Sequence, residues 1–245
     1  MASVDVTVHG AGIFGLSVAW ACAQRGARVQ VVDPHGPGAG ASGGIVGALA
    51  PHVPENWNPK KAFQLDSLMA APAFWAEVEA AGGVASGYAR TGRLQPIVDE
   101  AGAALARARA EGARALWPDA VTWQVIAVAE AGAFAPQAAS GLLIHDTLSA
   151  RLHPRRACAA LVAALRAKGA TVGPDAPAAG HAGAVIWASG WQGLHALTER
   201  FGRKIGDGVK GQAVLLDHAA PEAPQLFVDG LHIVPHADGT TAIGS

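Results

Sequence analysis

The stretch Gly10-Ala11-Gly12-Ile13-Phe14-Gly15 constrains this chain more than any other. It fits G-x-G-x-x-G, and its flanks supply the context the pattern needs. Val4, Val6 and Val8 alternate ahead of it, as in a strand entering a tight turn, and Ile13 to Arg25 reads as a helix stopped by Gly26. Arg28 to Asp33 then reads as a second strand, which makes a βαβ opening. In such a unit the first glycine allows the turn, the second lets the backbone approach a pyrophosphate, and the third lets helix and strand pack closely. The helix N-terminus adds unpaired N–H groups and a partial positive charge. Asp33 stands at the end of the second strand, about 20 residues on, where an acid accepts hydrogen bonds from a ribose diol and repels a 2′-phosphate. The unit is therefore expected to bind NAD or FAD rather than NADP.

Composition narrows the partners. The 245 residues carry 18 Lys+Arg against 19 Asp+Glu, a net charge of −1, which points to neither nucleic acid nor an anionic membrane. With 51% hydrophobic and 15% charged residues, the chain is expected to bury a core. No uninterrupted apolar run reaches the ~18 residues of a membrane span, and Met1 to Asp5 lacks the basic start of a signal peptide, so a cytoplasmic location is expected. Cys22 and Cys158 form no spaced pair and read as core thiols, and His232 and His236 lack a third nearby ligand, so no metal is expected.

Downstream, Pro34 to Pro51 is too Gly-rich for a regular element and reads as a packed loop. Lys60 to Ala80 has roughly helical spacing, with Pro72 forcing a kink or restart; Gly92 to Val98 reads as an edge strand because Pro96 cannot donate to a ladder. Glu100 to Trp117 is an Ala/Arg-rich helix suited to a solvated cover. Gly141 to Asp146 reads as a strand, and Pro154 opens a helix ending at Gly169 with Cys158, Leu161, Val162 and Leu165 on one face. Ala184 to Ala188 reads as a parallel strand buried on both faces. Gln212 to Leu216 and Leu231 to Pro235 read as strands of a more antiparallel layer, with Asp238-Gly239 as a hairpin turn.

The second Gly-rich stretch, Gly38 to Pro51, directly after the acidic strand resembles the FAD-dependent amine oxidoreductases typified by D-amino acid oxidase and glycine oxidase. Further stretches are similar to that family: Leu152-His153-Pro154-Arg155-Arg156 before a helix that ends in Gly169-Ala170-Thr171-Val172, then Val185 to Trp191, Lys210-Gly211-Gln212, and Ile233 to Gly244. The resemblance implies an α/β fold, a Rossmann-like FAD-binding domain of residues 1–85 and 146–205 with an inserted mixed β-sheet substrate domain of residues 86–145 and 206–245. It implies FAD as cofactor, with Gly10, Gly12, Ile13, Phe14, Gly15 and Asp33 in the fingerprint and Ser42 near the phosphates. Gly47, Ala48 and Leu49 would pass the flavin, Val172 would touch the adenine, and Ala188 and Gly190 would close over the cofactor. It further implies a small amine or amino acid substrate whose C–N bond is oxidised by hydride transfer to flavin N5, the imine then being hydrolysed by water.

Two departures stand against the family pattern. The stretch between Val172 and Ala184 is shorter than usual, and relatives continue past the position of Ser245 with a last flavin-proximal loop and commonly an Arg for the substrate carboxylate, so a truncated form is expected. His52, after the flavin-passing loop, is the candidate for an active-site side chain, with a plain loop residue as its alternative. An NAD-dependent dehydrogenase would explain the fingerprint but not the second Gly-rich loop; a non-catalytic FAD-binding fragment is the other alternative. Gly40 to Gly44 also fits the G-x-S-x-G of hydrolases, but that elbow needs a strand just before the serine, and PHGPGAGA stands there.

Overall fold

Alternating valines that run into a glycine turn, then an apolar segment stopped by Gly26, set the first elements, and the rest of the chain completes two units. The computed structural model describes residues 4–175 and 183–245. The elements in chain order are β1 (Val6–His9), α1 (Ile13–Gln24), β2 (Val29–Val32), β3 (Ala48–Leu49), α2 (Pro59–Gly82), β4 (Arg93–Pro96), α3 (Glu100–Leu116), β5 (Trp123–Ala127), β6 (Leu142–Asp146), β7 (Ala150–Arg151), α4 (Pro154–Ala167), β8 (Thr171–Gly173), β9 (Ala184–Trp187), α5 (Gly190–Phe201), β10 (Ala213–Asp217), β11 (Gln225–Val228), β12 (Leu231–Pro235) and β13 (Thr240–Gly244). They fall into one unit of residues 1–44, 75–86 and 154–211 and another of residues 45–74, 87–153 and 212–245. Most of the short stretch before β9, residues 176–182, lies outside the described residues.

The first unit is built on a parallel sheet in the order β8-β2-β1-β9. The core residues Val8, Val31, Leu16, Ala19 and Trp20 come from β1, β2 and α1, and α1 packs against α4. The face expected on α4 is the buried one: Cys158, Leu161, Val162 and Leu165 are all interior. The expectation for β9 is corrected. Among the described residues it pairs with β1 alone, and at that edge of the sheet, with fewer side chains beside it, Trp187 is left 71% exposed. Helix α5 follows β9 after a two-residue turn, ends at Gly202 in the left-handed region (φ +62°) and buries no residue.

The second unit carries a seven-stranded mixed sheet in the order β10-β13-β12-β11-β4-β6-β5 and a two-stranded ribbon of β3 and β7. All the pairings of the large sheet are antiparallel except β4 with β11. Strand β4 is thus interior rather than at an edge. Pro96 is accommodated because β11 pairs only with Arg93 and Leu94, so the missing N–H falls beyond that ladder. Strands β5 and β11 were not expected; β5 buries Trp123 edge-on to Trp117, beneath Ala103, Ala106 and Ala113 of α3. Helix α3 starts on Asp99, whose carboxylate accepts the Gly102 N–H at 2.8 Å.

Helix α2 runs through Pro72 without a restart. A proline there cannot donate to the Leu68 carbonyl, one turn back. That carbonyl accepts instead from Arg90 Nη2 at 2.6 Å, so a side chain replaces the lost backbone bond. Among the described residues no helix is long and apolar enough to cross a membrane.

The core assignment has a direct consequence. Leu161 is fully buried on α4, and Leu161→Ala is expected to cost about 2–5 kcal/mol, read as a lower urea midpoint with an unchanged m-value.

Candidate functional site

The site begins with the close approach of α1 to β1. A Cβ on Gly15 would lie 1.9 Å from the Gly10 carbonyl oxygen, a distance no side chain tolerates. Gly10 adopts φ +107°, and a Cβ there would lie 2.3 Å from the Ala188 oxygen. Both positions therefore demand glycine for space, and Gly10 for its backbone conformation as well. Gly12 is different: its φ is −78°, and an added Cβ would meet only the Ser42 side chain, at 3.2 Å. What Gly12 supplies is open room above the helix end.

Around that room lies a groove of about 520 Å³. Gly10, Gly12, Ile13, Phe14, Asp33, Ser42, Ala188 and Gly190 all line it, so most of the sequence-predicted residues converge on one place. Gly15 lies beneath, in the helix–strand contact. Val172 is in β8, paired with Val31, and is not among the lining residues. Gly47, Ala48, Leu49 and His52 belong to the other unit. There the Gly47 carbonyl accepts the Leu152 N–H at 2.8 Å, Ala48 and Leu49 pair with β7, and the His52 N–H donates to Gln64 Oε1 at 2.7 Å.

The polar groups of the groove are arranged around the start of α1. The Ala11 N–H donates to Asp33 Oδ2 at 2.8 Å and the His35 N–H to Asp33 Oδ1 at 3.0 Å, so each carboxylate oxygen holds one backbone group and keeps acceptor capacity for another. The Ile13 N–H donates to Ser42 Oγ at 2.9 Å. Gly12, at the N-cap position, has no side chain to do this, and Ser42 caps the helix from the neighbouring loop. The N–H groups of Gly12 and Phe14 have no partner among the described residues. Ser42 also reaches the Cys158 thiol, whose pKa burial pushes up while that hydrogen bond pulls it down. The serine sits in a short 3-10 turn, Ala41–Gly43, rather than between a strand and a helix, which removes the geometry of a hydrolase elbow.

Trp187 and His9 line the groove as well. Trp187 projects from the edge strand and stacks on His9, with ring centroids 4.1 Å apart and planes 12° apart. An apolar run such as Val185-Ile186-Trp187 does not reveal that its last residue is exposed, since that depends on which strand lies beside it.

The glycine-only contact between helix and strand, the two uncommitted N–H groups and the acid that follows β2 thus meet at one groove. The sequence pattern of the DAO family, described as FAD dependent oxidoreductase, matches residues 5–245, and the chain belongs to that family. Its fold is that of glycine oxidase from Geobacillus kaustophilus, with a TM-score of 0.80 at 22% identity, covering 100% of this chain and 72% of that one. Iminodiacetate oxidase from Chelativorans sp. BNC1 gives 0.78 at 22% identity, over 98% and 70%. L-amino acid deaminase from Proteus vulgaris gives 0.72 at 20%, over 98% and 60%. The expected pairing of a parallel sheet with a mixed sheet is thereby shown. A local match of 54% identity over 54 residues links the chain to the tRNA 5-methylaminomethyl-2-thiouridine biosynthesis bifunctional protein MnmC of Albidiferax ferrireducens, covering 22% of this chain and 9% of that protein.

The cap can be tested without any ligand. Ser42→Ala is expected to destabilise the protein by about 0.5–2 kcal/mol in thermal unfolding, and Gly15→Ala by more, because its Cβ meets a backbone carbonyl that no rotamer change can move.

Proposed function

We propose that the chain binds FAD in this groove and acts in the oxidation of the C–N bond of an amino acid or related small amine. The carrying observation is the helix end over Gly12: unpaired N–H groups face open room that a side chain at that position would fill. In this reading the unit with the parallel sheet is the FAD-binding domain and the unit with the seven-stranded sheet the substrate domain. Gly12 and Phe14 donate their N–H groups to the pyrophosphate. Asp33, each of whose oxygens already accepts one N–H, takes ribose hydroxyls on its remaining lone pairs. Ser42 keeps the helix end in place, Ala188 and Gly190 close the groove, Val172 lies toward the adenine, and the backbone of Gly47 to Leu49 passes the ring.

When bound, FAD supplies N5 as the acceptor for the hydride that leaves the amine-bearing carbon. The protein's share is to orient that carbon and to exclude competing reactions. An amine that enters neutral needs no side-chain base, so His52 in this reading lines the substrate side and is not required for proton removal. A narrower reading, favoured by the local identity to the tRNA 5-methylaminomethyl-2-thiouridine protein, is that the amine is an alkylamine carried on a modified tRNA base. Turnover of free amino acids against modified tRNA separates the two.

The purified protein is expected to show a flavin absorbance spectrum and to bleach when an amine substrate is added without oxygen. Gly12→Val is expected to remove FAD and Asp33→Ala to weaken its binding, both measured as flavin per protein chain. Stoichiometric FAD in Gly12→Val would overturn the assignment.

A further inference from the structure

Strand β5 closes one end of the seven-stranded sheet, and among the described residues it pairs with β6 alone. Bonds just outside that ladder fix which way its backbone faces. The Thr122 carbonyl accepts the Thr147 N–H at 3.0 Å, and the Val128 N–H donates to the Gly141 carbonyl at 3.0 Å. Successive residues of a strand alternate in direction, so Gln124 and Ile126 face β6 as Thr122 and Val128 do. Trp123, Val125 and Ala127 therefore turn their N–H and C=O groups away from the sheet. Of these only the Ala127 N–H has a partner among the described residues, Glu130 Oε2 at 3.3 Å. Edge strands are ordinarily guarded by a proline, a charge or a bulge. The five residues of β5, Trp-Gln-Val-Ile-Ala, hold no proline and no charge, and their register with β6 is unbroken.

That edge opens on a cavity of about 560 Å³, lined by all five residues of β5, by α3 and by Glu130. Neighbouring residues of a strand point to opposite faces, so a cavity that touches every one of them runs along the edge instead of over one face. Charges of both signs line it. Arg107 is held by Glu100 at 3.2 Å, whereas Arg114 and Glu111 of α3 have no partner among the described residues. Arg114 also lines a smaller cavity with Thr122, Trp123 and Gln124, which places it beside the start of β5, while Glu130 follows the end. A basic group thus stands at one end of the open strand and an acidic group at the other.

Those two patterns are self-complementary, as a two-fold interface requires. With Val125 on the axis, two copies of β5 lie antiparallel. Val125 then exchanges N–H···O=C bonds with the Val125 of the other copy, and Trp123 does so with the other copy's Ala127, displacing the long bond to Glu130. The same reversal brings each Arg114 to the end where the other copy holds Glu130. We propose that a second copy of this chain docks on β5 in this way, joining the two mixed sheets into one across the axis. The proposal stands apart from the oxidoreductase reading, and its test needs no flavin.

Sedimentation velocity of the purified protein across a concentration series measures the dimer Kd, and hydrogen exchange under the same conditions reads the amides. The Trp123 and Val125 N–H groups are expected to gain protection as the dimer forms. Val125→Pro removes a donor that the sheet itself does not use, so it is expected to fold and to raise the Kd by at least about tenfold. Arg114→Glu is expected to weaken the dimer by about tenfold as well, and Arg114→Glu combined with Glu130→Arg to restore it. Circular dichroism checks that each variant is folded; should Val125→Pro not fold, the charge exchange carries the test alone. A wild type that stays monomeric, or a dimer indifferent to Val125→Pro and to both charge changes, would sink the proposal. In the first case the edge is left to an extended segment of a different protein.

Discussion

The contact between Gly10 and Gly15 is the constraint on which the groove depends. With a Cβ at Gly15 only 1.9 Å from the Gly10 oxygen, the first turn of α1 can lie against the end of β1 only if that side chain is absent. That approach brings the helix N-terminus level with the end of the sheet, and Asp33, at the end of the adjacent strand, can then take the Ala11 N–H. Ser42 completes the arrangement from the loop by capping Ile13. The acid and the serine thus each have a structural bond to the same turn, which fixes them in place before any ligand arrives. A site whose polar groups are already oriented does not have to order them on binding.

The parts of this fold that were legible from sequence are those set by local pattern. Alternating valines, a glycine turn and an apolar run stopped by Gly26 describe β1 and α1 whatever surrounds them, and the i, i+3, i+4, i+7 face of α4 is buried as read. The rest depended on neighbours. Whether an apolar run such as β9 is central or at an edge is decided by pairing, and so is whether a proline strand such as β4 lies outside or inside the sheet. The uninterrupted course of α2 through Pro72 rests on Arg90, a residue 18 positions along whose side chain takes the orphaned Leu68 carbonyl. No window around Pro72 contains that information.

The same distinction holds for the site. Fingerprint residues are adjacent in sequence or separated by one strand, so their convergence could be read. The exposure of Trp187 and its stacking on His9 join β9 to β1 across nearly the whole first unit, and the outward-facing groups of β5 exist only because β6 alone pairs with it among the described residues.

The Gly-rich loop shows how one sequence segment can answer to two different controls. Up to Gly44 it belongs with the parallel sheet: Gly38 donates its N–H to the Ala11 carbonyl at 2.9 Å, and Arg155 Nε donates to the Gly43 carbonyl at 2.7 Å. From Ile45 on it is held by the other unit. His236, buried and donating from Nε2, takes the Ile45 carbonyl at 2.9 Å; Leu152 takes the Gly47 carbonyl; and Gln225 Nε2 donates at 3.0 Å both to the Leu49 carbonyl and to that of Ala150, tying β3 and β7 to the large sheet. Gly47 to Leu49 is the backbone proposed to pass the flavin ring, so its position follows from side chains of the mixed sheet and not from the conformational preferences of the glycines before it. Changes on β11 or at the end of β12 therefore act on that backbone directly, whereas the stretch up to Gly44 answers to α1 and α4.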